Sequence, residues 1–263
     1  MSQELKKQSN PFSTGGGGVN FETRIQASFA IALFTQSCVP CLSQSMRAKE
    51  LKFQNKYDGS NTDDFVLVSS DQSGNISKLY AQIKHEITIS ESTGSEENSS
   101  TFSEVINSAW KDFNSGSFDK KHDSIALITG PIPKLDVANT LPILEWAKYS
   151  SNSSDFIKKS ETKGFTSEAK KNKLNIFRTQ LKHANEGKAI TDDELWEFLR
   201  VFYLVSFDLD SEHSVVAHLL CSLIRCYSEE PPSLVLARVI TCTQMFNQNA
   251  GVLTWENTPY APT

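Results

Sequence analysis

Four side chains near the front of the chain have the types and spacing of a metal-dependent hydrolytic centre. They are Glu22, Asp64, Gln82 and Lys84, the last two forming a Gln-x-Lys pattern in the segment 80–84. Mg²⁺ prefers hard oxygen ligands in octahedral geometry and keeps several waters. Carboxylate and amide oxygens beside an ammonium group can therefore hold Mg²⁺ next to a phosphate, which is the chemistry that hydrolyses a phosphodiester bond.

Each of these residues has its own predicted role. Asp64 supplies a carboxylate to the metal, Gln82 supplies a neutral amide oxygen, and the backbone carbonyl of Ile83 lies between the two strand side chains. Lys84 orients the attacking water or stabilises the phosphate oxygens in the transition state. Glu22 ligates the metal through a water molecule or assists proton transfer. The predicted cofactor is Mg²⁺, with Mn²⁺ as its substitute.

The hypothesis depends on how two predicted strands, 65–68 and 76–87, pair across the turn residues between them. Paired residues in a hairpin have position numbers with a constant sum. A two-residue loop gives a sum of 147 and turns the Gln-x-Lys side chains away from Asp64, whereas an odd loop gives 146 or 148 and brings them to its face. The active site therefore requires an odd loop, with Gly74 in the left-handed conformation, or a bulge.

The surrounding pattern predicts an α/β front part. Phe21, Ile25, Phe29 and Leu33 recur at helical spacing, and 124–129 is a wholly apolar run typical of a buried central strand. The predicted elements are a helix at 21–36, strands at 51–57, 65–68 and 76–87, a helix at 102–113 and a strand at 124–129. Residues 1–18 are polar, end in four glycines and are predicted to be a mobile leader, so that the front domain covers 19–132.

After Pro133 the strand signals stop, and the remainder, 133–263, is predicted to be an all-helical extension. Its predicted helices are 134–149, 154–159, 167–185, one that begins after a capping box at 191–194, 212–228 and 232–247. The ending is neither a polar tail nor a helix stop, which predicts that the native polypeptide continues; a natural end at Thr263 is the alternative.

Three segments together resemble a known superfamily. Gly-Gly-Val-Asn-Phe21-Glu22-Thr-Arg-Ile-Gln26, Asp63-Asp64-Phe-Val-Leu-Val and Gln82-Ile-Lys84-His85 look like the PD-(D/E)XK nucleases. Within that superfamily they resemble the N-terminal effector nuclease domains of bacterial antiviral STAND-type NTPases and CD-NTase-associated effectors. The resemblance covers about residues 15–130. It implies a restriction-endonuclease-like αβββαβ core, in which helices flank a mixed central sheet.

The resemblance also implies an activity and partners. These are metal-dependent cleavage of double-stranded DNA by Asp64, Gln82, Lys84 and Glu22, and self-association driven by a larger assembly or by C-terminal regions. The chain departs from the usual pattern at Gln82, where an acid is expected, and a neutral ligand weakens metal affinity. The alternatives are a catalytically weak nucleic-acid-binding module and an oligomerisation module of such a defence system.

Charge restricts how nucleic acid could bind. The net charge of −5 excludes a globally basic coat, so any DNA contact must use a local basic surface. The stretch 158–188 holds nine Lys or Arg against three Glu, which fits either a solvated helix face or a surface that grips the DNA backbone without sequence specificity. The predicted DNA contacts are Gln26, Lys170, Lys171, Lys173 and Arg178.

Composition also predicts the compartment. No apolar run approaches the roughly 20 residues of a membrane span, and the five scattered cysteines fit a reducing compartment better than a disulfide framework. The chain is therefore predicted to be cytoplasmic, with no membrane partner. Cys38 and Cys41 have the spacing of a zinc knuckle, but no second pair follows, which favours idle thiols.

Overall fold

The computed structural model describes residues 16–54, 60–62, 64–91, 101–209 and 213–258, with side chains from Asn20 onward. The helices are α1 Gly16–Phe34, α2 Thr101–Phe113, α3 Lys134–Asn139, α4 Leu141–Lys148, α5 Ser153–Glu161, α6 Glu168–Ala184, α7 Asp192–Val201, α8 Val215–Arg225 and α9 Pro232–Gln248. The strands are β1 Arg47–Phe53, β2 Phe65–Ser70, β3 Ile76–Lys84, β4 Ser124–Thr129, β5 Phe202–Ser206 and β6 Val252–Thr254.

One six-stranded mixed sheet organises these elements, in the order β5-β4-β3-β2-β1-β6. β6, β1, β2 and β3 pair antiparallel, whereas β3, β4 and β5 pair parallel. All six residues of β4 are buried, as expected of a strand covered on both faces.

Helices cover both faces of the sheet, because successive side chains of a strand point to opposite sides. One face carries Val66 and Tyr80 and packs against α2 and α4 to α7. The other carries Leu67 and Leu79 and packs against α1, α8 and α9. The helices after residue 133 therefore contribute to both cores.

The prediction of an all-helical extension is wrong, because two strands from the back part close the two edges of the sheet. β5 adds to β4 and β6 adds to β1. The residues of β5 follow α7 without an intervening turn residue, so the helical pattern hides the strand. β6 has only three residues, too few to show a period. Strands from both sides of the predicted boundary at residue 132 thus form one sheet.

The predicted order of helix, three strands, helix and strand is present in residues 16–129. The assignment to the restriction-endonuclease-like core stays a prediction. α1 begins at Gly16, so residues 16–18 belong to a helix and not to the predicted leader. The rest of that leader, 1–15, lies outside the described residues. Nowhere in the described ranges is a helix both long and apolar enough to cross a membrane.

Candidate active site

The hairpin between β2 and β3 has the odd loop that the hypothesis requires. Phe65 pairs with Ala81 and Ser70 with Ile76, a constant sum of 146, and five residues, 71–75, form the loop. The Asp71 carboxylate accepts hydrogen bonds from the backbone N–H groups of Ser73 at 2.8 Å and Asn75 at 2.9 Å. Gly74 has a φ of +83°, the left-handed conformation in which glycine is favoured.

Asp64 stands just before β2 and is bonded to β3. Continuing the register pairs it with Gln82, and its Oδ2 accepts a hydrogen bond from the N–H of Ile83. A strand residue directs its N–H and C=O to the same side, so the Ile83 carbonyl also points toward the edge where β2 has not yet begun. Gln82 is 8% exposed and Lys84 is half-buried. The structure thus brings together Asp64, Gln82, Ile83 and Lys84 at one end of the sheet.

Glu22 is tied to the same region through Gln26, one turn further along α1. The Gln26 Nε2 donates to Glu22 Oε1 at 3.0 Å and to the backbone oxygen of Asp64 at 3.3 Å. Gln26 is fully buried. The predicted DNA contact by Gln26 therefore needs correction, since this side chain presents no surface to DNA and instead connects the two acids.

A second amide reaches Glu22 from the back part of the chain. The Nδ2 of Asn247, near the end of α9, donates to Glu22 Oε1 at 3.3 Å. Sequence reasoning missed this residue. Asn247 is separated from Glu22 by 225 positions. A single asparagine among the polar residues of a helix does not indicate which distant residue it contacts.

The oxygens of these two amides are unsatisfied. Gln26 Oε1 and Asn247 Oδ1 are buried and have no hydrogen-bond partner in the described part of the chain. A buried acceptor without a partner costs about 1–3 kcal/mol, and native proteins contain few. Within the described ranges, the surroundings of Glu22 therefore hold two buried acceptors that have no donor.

This donor set fits a hydrated divalent cation. Mg²⁺ is commonly held by one or two carboxylates and keeps several waters, whose O–H groups are the donors that the excess acceptors lack. Within the described ranges, no three His, Cys, Asp or Glu side chains group to hold a metal. The candidate set has only two acids, Asp64 and Glu22, and its remaining donors are the Gln82 amide and the Ile83 carbonyl.

The segment that leads to Asp64 has its own anchor, the buried Asp112 of α2. This carboxylate is 1% exposed. It accepts four hydrogen bonds of 2.5 to 3.0 Å, from the backbone and side chain of Asn61 and of Thr62. Sequence reasoning missed Asp112, although a signal exists: it lies seven positions after Val105 on the apolar face of its helix.

A groove opens at the carboxyl ends of β3 and β4, and neither Lys84 nor the other candidate residues Asp64 and Gln82 line it. Its volume is about 680 Å³, enough to receive part of an extended ligand. The groove is lined by residues 85–88, Ser90, Thr101, Phe102, Pro131 and Pro133.

The basic residues predicted to contact DNA are largely paired with acids. Lys173 contacts Asp136 at 2.6 Å, Arg178 contacts Asp192 at 2.5 Å and Lys171 contacts Glu168 at 3.2 Å. The Lys170 ammonium lies 6.0 Å from the centre of the Trp146 ring. Three of the four basic side chains thus form ion pairs within the protein. The role of all four in DNA binding stays a prediction.

The five cysteines are all free thiols. Burial raises the pKa of the Cys41 thiol to about 12, so this side chain is protonated at neutral pH. Cys38 is exposed and donates to the Gln44 carbonyl at 3.4 Å. Because a thiolate is the metal-binding and nucleophilic form, these features agree with the idle thiols that the sequence predicts.

No protein-family model and no curated protein matches the sequence. Two solved structures of Cap4 from Acinetobacter baumannii, a SAVED/CARF-domain containing receptor, are similar in part, and one of them contains the cyclic trinucleotide 3′3′3′-cAAA. Each aligns with 90% of this chain at 10% sequence identity and a TM-score of 0.47. The chain spans 44% of the length of those structures. Similarity at this level does not indicate a shared function.

Proposed function

We propose that the protein is a metal-dependent nuclease that hydrolyses phosphodiester bonds in DNA. The observation that carries the proposal is the β2–β3 register, with its sum of 146. Continued by one residue, this register pairs Asp64 with Gln82, and it brings Lys84 to the same end of the hairpin. A one-residue change in the loop would have turned both side chains to the other face.

Four groups of this chain would hold the cation. Asp64 contributes a carboxylate, Gln82 an amide oxygen and Ile83 its backbone carbonyl, while Glu22 acts through water. When bound, a divalent cation lowers the pKa of a water molecule and neutralises charge that grows on the phosphate. The hydrogen bond from the Ile83 N–H orients the Asp64 carboxylate.

Lys84 is proposed to act on the phosphate and not on the metal. An ammonium group two residues after Gln82 lies on the same side of β3, because side chains alternate. From there it can stabilise the oxygens that gain charge in the transition state, or hold the attacking water. The groove begins at the residue after Lys84 and is proposed to receive part of the nucleic acid next to the scissile phosphate.

The resemblance to effector nucleases adds three points to the proposal. The substrate is double-stranded DNA, the protein self-associates, and it acts in antiviral defence. The alternative is a module that binds nucleic acid without cutting it, since Gln82 is a weaker ligand than the usual acid.

The test is plasmid cleavage in the presence of Mg²⁺ or Mn²⁺ by wild type, Asp64→Asn and Lys84→Ala. Lys78→Ala is the matched control, because Lys78 lies on the same strand and the same face, six residues before Lys84. We expect both site variants to lose about 10²-fold or more in rate and Lys78→Ala to retain most of it.

Undiminished cleavage by Lys84→Ala would reject this assignment. If the wild type retains DNA in a salt-dependent manner but cuts it with neither metal, the non-catalytic alternative is correct.

A further inference from the structure

The two amide oxygens near Glu22, Gln26 Oε1 and Asn247 Oδ1, are buried without a hydrogen-bond partner among the described residues. We propose that Gln26 and Asn247 hold the water molecules around the cation, so that α9 is part of the metal site. This inference rests on the proposed function, because it assigns a role within the same site. It adds two residues to the site that the sequence pattern does not identify as ligands.

The orientation of both amides is fixed by the acid between them. Glu22 Oε1 accepts from Gln26 Nε2 at 3.0 Å and from Asn247 Nδ2 at 3.3 Å. Rotating either amide by 180° would set its oxygen against the carboxylate oxygen, acceptor against acceptor. For Gln26 it would also lose the bond to the Asp64 backbone. Each amide therefore keeps its nitrogen on Glu22, and its oxygen must find a donor elsewhere.

The missing donors identify the chemical class of the ligand. An anion or a carbonyl group would add acceptors to a cluster that already has too many. A hydrated divalent cation brings O–H donors and positive charge together, beside the Glu22 carboxylate. Gln26 and Asn247 are in this sense positioning residues: they hold water and orient Glu22, and the cation binds directly to the Asp64 side of the site.

Asn247 makes the site depend on how α9 is packed. α9 lies along α1, and Asn247 is the penultimate residue of the helix. The front part thus supplies the acids, and the back part supplies one of the groups that set their environment. Groups that orient ligands and waters around a metal change its affinity by about 10- to 100-fold when removed.

The experiment measures Mn²⁺ binding to the whole chain by isothermal titration calorimetry, with no nucleic acid present. Asn247→Leu removes both the donor and the acceptor at nearly constant size. Asn249→Leu is the matched control, since Asn249 is exposed and donates to the Met245 carbonyl. Thermal unfolding without metal checks that each variant folds.

We expect Asn247→Leu to raise the Kd for Mn²⁺ by about tenfold or more, with Asn249→Leu close to the wild type. The inference is overturned if Asn247→Leu binds Mn²⁺ as tightly as Asn249→Leu.

Asp64→Asn separates this failure from failure of the proposed function. If Asp64→Asn abolishes Mn²⁺ binding while Asn247→Leu does not alter it, only the role of α9 is wrong. If the wild type binds no Mn²⁺, or binds it equally well after Asp64→Asn, the proposed metal site itself is wrong.

Discussion

Two polar clusters near the start of β2 are built around an acid, and they differ in how their hydrogen bonds balance. Around Asp112, four donors from two consecutive residues meet the two oxygens of one carboxylate. Around Glu22, two amides donate to one carboxylate oxygen, and neither amide oxygen has a partner among the residues that the structure describes. Within that part of the chain the first cluster is complete, and the second is not.

The difference separates a structural role from a binding role. A complete cluster holds the chain in one conformation and gains nothing from a ligand. A cluster with buried acceptors in excess is destabilising until something supplies donors. Asp112 is accordingly interpreted as the anchor of the loop before Asp64, and Glu22 as part of the proposed cation site.

The largest expected effect comes from breaking the complete cluster. Asp112→Ala leaves four donors without their acceptor, two of them backbone N–H groups, so we expect the free energy of unfolding to fall by about 3 kcal/mol. Chemical denaturation measures this change, with Lys111→Ala, an exposed neighbour on α2, as control. A gain in stability on adding Mn²⁺ that is larger in Asp112→Ala than in the wild type would contradict the comparison, because the Asp112 cluster should be indifferent to metal.

The buried acid Asp136 gives an intermediate effect. Lys173 forms an ion pair with Asp136 and also donates to the Ile89 carbonyl at 2.9 Å, and the side chain of Asp136 is 8% exposed. Lys173→Met leaves that carboxylate without its cation, so we expect a loss of about 2 kcal/mol. The control is Lys171→Met, whose exposed pair with Glu168 should contribute less than about 0.5 kcal/mol. If both variants lose the same unfolding free energy in urea at equilibrium, burial does not determine how much an ion pair contributes to stability.

The smallest effect on the metal-free protein is expected at Glu22. Glu22→Gln keeps the size of the side chain and reduces the charge, so we expect the unfolding free energy to change by less than about 1 kcal/mol. With Mn²⁺ at about 100 times its Kd, the wild type should gain about 2.7 kcal/mol and Glu22→Gln distinctly less. Glu186→Gln, an exposed acid, is the control. An equal gain in Glu22→Gln, measured by denaturation with and without Mn²⁺, would remove Glu22 from the site.

The sequence was sufficient for the parts of the site that are local along the chain. The register between β2 and β3 follows from whether their loop has an odd or an even number of residues. Side-chain alternation then decides whether Asp64 lies on the same face as Gln82 and Lys84. The apolar run of β4 and the capping box before α7 were likewise predictable, and the capping box is present as expected at Thr191 and Glu194.

Contacts between distant segments could not be predicted in this way. Asn247 meets Glu22 only because α9 packs on α1, and no local pattern encodes that pairing. β5 was missed because its apolar residues follow directly on those of α7. Over so few residues the 3.6-residue period of a helix cannot be told from the two-residue period of a strand. Lys173 and Arg178 were predicted to contact DNA from their charge alone, since the acids that pair with them lie 37 and 14 positions away.

The positions of β5 and β6 have a consequence for how the chain can be divided. Both outermost strands of the sheet are synthesised after residue 200, whereas the strands that they cover belong to the first 130 residues. A fragment that stops at residue 132 would expose the hydrogen-bonding edges of β1 and β4, which are sites for unwanted pairing with other chains. We therefore expect a fragment that ends at residue 132 to aggregate more readily than the whole chain, in which β5 and β6 cover these two edges.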